Sequence, residues 1–79
     1  MASNQPVATK FTWGDTVRIR DDAPAKFKEL GAGSVCGIRR IDNEKVAQVF
    51  DEPVGTVLYI IESGDGKSKE VPERFLESY

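Results

Sequence analysis

The chain has 79 residues, 39% of them apolar and 30% charged, and its 11 basic and 13 acidic side chains leave a net charge of −2. A chain of that size supports one core, its balance is that of a globular domain, and its longest apolar run, Val57 to Ile61, falls far short of the ~20 residues a membrane helix needs. With no histidine and a single cysteine, Cys36, it cannot assemble an all-Cys/His zinc site, an internal disulfide or an imidazole-assisted nucleophile, so no metal or cofactor is expected and binding is favoured over catalysis.

Residues 1 to 10 are small and polar with no periodic apolar pattern, which predicts a flexible leader ahead of one domain over residues 11 to 79. They carry no signal-peptide pattern either, so the expected location is cytoplasmic. Asp15 to Arg20 alternates Val17 and Ile19 with Thr16, Arg18 and Arg20, the period of a half-buried strand, and Asp21 to Pro24 closes it. Ala25 to Gly33 is too short and too glycine-rich for more than a loop with one helical turn. Ser34 to Ile41 reads as a second strand whose apolar positions need a bulge near Gly37 to keep register.

After the polar turn Asp42 to Lys45, the segment Val46 to Phe50 fits a helical face and a short strand equally. Thr56 to Glu62 is the strongest strand, dense in β-branched and aromatic residues. Gly64 to Gly66 is a hairpin signal, Lys67 to Val71 a charged returning edge, and Pro72 to Leu76 one closing helical turn. The expected fold is all-β: a small antiparallel barrel of about five short strands. Its predicted core is Val17, Ile19, Val35, Ile38, Val57, Tyr59, Ile61, Phe75 and Leu76.

The run F-x-x-G-D-x-V-R-I-R from Phe11 to Arg20, followed by Ala23-Pro24 and L-G-A-G-S-V-C-G-I from Leu30 to Ile38, resembles SH3-like small barrels. In particular it is similar to the C-terminal barrel of the nitrile hydratase β subunit and to stand-alone immunity proteins of bacterial toxin systems. V-P-E-R-F-L-E from Val71 to Glu77 looks like the closing turn of such barrels. KOW-type barrels share the G-D-x-V element more distantly. The resemblance implies an SH3-like fold and a role as an immunity protein or accessory subunit. No catalytic or metal-binding residue is carried over, because the hydratase's metal sits on a cysteine-rich loop of its other subunit.

Two surfaces follow. Trp13, Arg18, Arg20, Lys26, Phe27 and Lys28 combine aromatics and cations on the first strand and the loop after it, the mixture enriched at protein interfaces. Trp13 itself reads either as such an anchor or, preferably, as a lid over the barrel end beside Phe11 or Phe75. Arg18, Arg20, Arg39 and Arg40 form the alternative, a phosphate-binding patch for nucleic acid, if the first two strands pair; the net negative charge makes that partner less expected than another protein.

Residues 10 to 40 carry a net +3 and residues 41 to 79 a net −5, which produces a bipolar surface unless strand pairing mixes the halves. Cys36 is expected to be an inert, half-buried thiol. Asp51, Glu52, Glu70, Glu73 and Glu77 are expected on solvated edges or at a helix start, open to a basic partner.

Overall fold

A computed structural model describes residues 9–79. The elements in chain order are β1 (Thr16–Ile19), α1 (Ala25–Lys28), β2 (Ala32–Arg40), α2 (Glu44–Phe50), β3 (Val57–Glu62), β4 (Ser68–Pro72), a 3₁₀ turn (Glu73–Phe75) and β5 (Leu76–Ser78). All pairings are antiparallel, and the strands bond in the order β4-β3-β2-β1-β5. The outermost strands of that order, β4 and β5, are consecutive in the chain and joined by the 3₁₀ turn, so the sheet curls into the expected small all-β barrel. No helix among the described residues is long and apolar enough to cross a membrane.

One core fills the concave face. Val17 and Ile19 of β1, Val35 of β2, Val57, Tyr59 and Ile61 of β3, Val71 of β4 and Leu76 of β5 all point into it, with Ile38 and Phe75 packed against it. Of the predicted core, Val17, Ile19, Val35, Val57, Tyr59, Ile61 and Leu76 lie within it, and Ile38 and Phe75 are partly buried at its margin. The β2–β3 register shifts between Val35 and Gly37, the bulge that the irregular apolar spacing required. Gly33, inward-facing opposite Val17, lies against the backbone of Glu62; a Cβ there would collide with that carbonyl, so glycine is what permits the tight curl of β2 toward β3.

The ambiguous segment is helical. Asn43 caps α2 by accepting a hydrogen bond from the Val46 amide at 2.9 Å, a local interaction that a strand would forfeit. Its apolar face, Val46, Ala47 and Phe50, covers Ile41 and Leu58 on the convex side of the sheet, making a second small core. Strand β3 is thus buried on both faces over part of its length, which explains why its sequence is apolar without alternation. The helix ends with Asp51 left-handed (φ 55°), where the amides of Asp51 and Glu52 bond back to the carbonyls of Gln48 and Ala47.

Residues 1 to 8 of the expected leader lie outside the described residues, whereas Lys10 already engages the fold: its amide donates to Glu73 Oε2 at 3.0 Å. Glu73 Oε2 also accepts from the buried Tyr59 hydroxyl at 2.6 Å, and that hydroxyl in turn accepts from the Phe11 amide at 3.2 Å. Phe11 meets the Tyr59 ring edge-to-face with centroids 5.5 Å apart. This clasp ties the incoming chain to the 3₁₀ turn.

Candidate interaction surfaces

Trp13 occupies the second position of a tight turn from Thr12 to Asp15. The Asp15 amide bonds to the Thr12 carbonyl at 3.1 Å, the Thr12 amide to the Asp15 carboxylate at 2.9 Å, and Gly14 at φ 88° provides the positive angle a type II turn needs at its third position. Gly14 and Asp15 are further pinned to β2 by two bonds with the Val35 backbone. A turn apex directs its side chain away from the barrel, and Trp13 is 64% exposed. The lid reading is therefore corrected: Phe11, not Trp13, contacts the buried aromatic Tyr59.

A second exposed aromatic neighbours this turn. The Tyr79 amide donates to the Thr16 carbonyl at 3.3 Å, continuing the β1–β5 ladder, and its side chain is 78% exposed. Two register steps further, Arg18 and Glu77 stand opposite each other and pair through Nε and Oε2 at 2.6 Å.

The six-residue patch expected around β1 does not form one surface. Phe27 is buried in the core, its ring 5.7 Å from that of Phe75, because the single turn of α1 tucks it under the sheet; its place in the patch is corrected. Lys26 and Lys28 are exposed on α1, with the Lys26 ammonium 5.1 Å from the Phe27 ring centroid. Arg20 is paired to Asp22 at 3.1 Å, a contact that raises the guanidinium's pKa and lowers that of the carboxyl below its ordinary value, chiefly through their hydrogen bond. Trp13 lies in the turn before β1 and these cations after it, at opposite ends of a strand roughly 13 Å long.

The four-arginine patch is also divided. Strands β1 and β2 do pair, but antiparallel, so Arg18 stands opposite Ala32 while Arg39 and Arg40 lie opposite Leu58 and Val57 at the far end of β2, roughly 23 Å of strand away. Arg39 binds Glu70 through two nitrogens, a contact that raises its pKa mainly by hydrogen bonding. The pairs Arg18–Glu77 and Arg39–Glu70 each join the basic half of the chain to the acidic half, so the sheet mixes the two charges. Cys36 is exposed beside the bulge rather than half-buried.

A feature absent from the sequence reading lies where α2 runs into β3. Glu52, expected on a solvated edge, has a side chain only 5% exposed; the left-handed turn at Asp51 sends it inward, where Oε2 accepts from Arg74 Nε at 2.7 Å. Arg74, 63% exposed, also lays its guanidinium 4.5 Å over the Phe75 ring. Arg74, Glu73, Val57 and the exposed Arg40 surround a surface depression of about 370 Å³ above Glu52. A smaller, mainly apolar pocket of about 170 Å³, lined by Thr9, Ile38 and Arg39, shares Arg40 and Val57 with it. P-E-R-F at residues 72 to 75 was the available signal, but only tertiary structure brings it to Arg40.

Among the described residues, no group of three or more His, Cys, Asp or Glu side chains is arranged to hold a metal ion. No family model, curated protein or solved structure matches the chain.

Proposed function

We propose that this chain is a protein-binding module built on an SH3-like barrel, with the Trp13–Tyr79 face as its contact surface and no catalytic role of its own. The observation carrying this reading is Trp13, a tryptophan 64% exposed on a turn held by backbone and side-chain hydrogen bonds at both ends. Exposed indole costs little ordering entropy when its support is rigid, and tryptophan and tyrosine dominate the energetic centres of protein interfaces. The Arg18–Glu77 pair beside them provides polar rim contacts. An immunity protein and an accessory subunit are two employments of such a module, distinguished by whether the partner is a toxin or a metal-bearing subunit. Nucleic acid is disfavoured, since Arg18, Arg20 and Arg39 already have carboxylate partners and Arg40 is remote from the first two.

The test is affinity capture from the native host with the wild-type chain and Trp13→Ala in parallel, each with and without nuclease. One stoichiometric protein, retained after nuclease and bound about thirtyfold more weakly by Trp13→Ala, is the expected result. Recovery of nucleic acid alone, abolished by Arg18→Ala with Arg20→Ala, would overturn the reading.

A further inference from the structure

We propose that the depression between Arg40 and Arg74 is a recognition site for an acidic side chain of a partner polypeptide, with the adjoining Ile38 pocket taking the apolar residue next to it. Arg74 is held in place from two sides. Its Nε is committed to a carboxylate buried in the protein, and its guanidinium carbon lies 4.5 Å over the Phe75 ring. Among the described residues its terminal nitrogens have no hydrogen-bond partner. A guanidinium fixed through Nε presents its two terminal amino groups end-on, the orientation that grips a carboxylate through two parallel hydrogen bonds. Surface arginines normally lose rotamer freedom on binding; this one is already oriented, so its cost of ordering is reduced.

Unpaired donors select the ligand. Glu52 balances Arg74, and Glu73 Oε2 already accepts hydrogen bonds from the Tyr59 hydroxyl and the Lys10 amide. Arg40, exposed and without an ion-pair partner among the described residues, offsets the charge of Glu73, so the lining is neutral overall and its free donors are the Arg40 guanidinium and the terminal nitrogens of Arg74. One carboxylate supplies acceptors for those donors. A chain of phosphates does not fit, because the lining has no positive excess and Glu73 on the same wall repels further negative charge. The 170 Å³ pocket beside Arg40 accommodates a leucine-sized group, so an apolar residue adjacent to the acid adds contact area. The site lies roughly 16 Å along β2 from the backbone to which the Trp13 turn is pinned, and it shares no residue with that surface.

The experiment uses the isotopically labelled full chain and two blocked peptides, acetyl-Ala-Leu-Glu-Ala-amide and its glutamine twin, followed by NMR. Saturable shifts at the Arg74 Nε–H and the Ile38 methyls are expected with the glutamate peptide, and the glutamine twin should bind about tenfold more weakly. Arg40→Gln, at an exposed position, should lose about tenfold in affinity with the spectrum otherwise preserved. Arg74→Lys keeps a cation beside Glu52 but lacks the fork, and should lose a similar factor. Absence of saturable shifts up to about 10 mM peptide, equal response to both peptides, indifference to both variants, or tighter binding of a single-stranded RNA tetranucleotide would each overturn the proposal.

Discussion

Tyr59 shows how one buried polar atom becomes a pH-dependent element of stability. Burial and the hydrogen bond to the Glu73 carboxylate both favour the neutral phenol and push its pKa from 10.0 up to about 12. A pKa raised by folding means that the folded state holds the proton more tightly. The stabilisation is therefore complete below pH 10 and is lost as pH rises through about 12. Urea midpoints across that range should fall for the wild type and fall less for Tyr59→Phe. A drop of equal size in both would place the alkaline transition elsewhere. Gly33 offers a second residue-scale test: an added methyl would meet the Glu62 carbonyl and Ile61, both fixed in the sheet, so Gly33→Ala should destabilise by roughly 1–3 kcal/mol, measured by the same melts.

Helix α2 illustrates what local signals determine and what they leave open. Strand alternation in Thr16–Ile19, the glycine-bearing hairpin after Glu62 and the bulge at Gly37 were legible because each is a short-range constraint on backbone or facing. Residues 46 to 50 were not, since five residues fit either period and the deciding contact, Leu58 on the convex face, is distant in sequence. The ends of the helix now make it testable. Asn43→Ala removes the side-chain acceptor of the Val46 amide and should cost about 1 kcal/mol. Asp51→Gly should add about 0.5 kcal/mol, because glycine occupies the left-handed region without a Cβ clash. Opposite signs in paired thermal melts are the expected outcome. Destabilisation by Asp51→Gly would mean that its side chain has a role beyond the backbone turn.

Across the whole molecule, strand pairing decided which sequence-level surfaces survived. The arginines were correctly placed on the outside, yet the antiparallel register separated them and gave three of them acidic neighbours. Trp13 stands exposed instead of forming the expected lid because a turn apex is specified by hydrogen bonds between Thr12 and Asp15, not by the hydrophobicity of the residue it carries. The Arg40–Arg74 depression was invisible for the converse reason: its parts are unremarkable singly and meet only through the fold.

The β1–β5 ladder, which sets Val17 opposite Ser78, carries a consequence for how the chain reaches its native state. The β2–β3 and β3–β4 pairs join strands that are consecutive in sequence, whereas β1–β5 closes the whole stretch from Val17 to Ser78 and sacrifices the most loop entropy of the strand pairs. Such non-local closure slows folding toward the millisecond-to-second range and places the ladder late, after the β2–β4 meander has formed. Leu76→Ala should then accelerate unfolding while leaving the folding limb nearly unchanged, and Ile61→Ala should slow folding itself. Stopped-flow measurements across urea would separate the two limbs, and a slowed folding limb in Leu76→Ala would show that β1 and β5 meet before the meander forms.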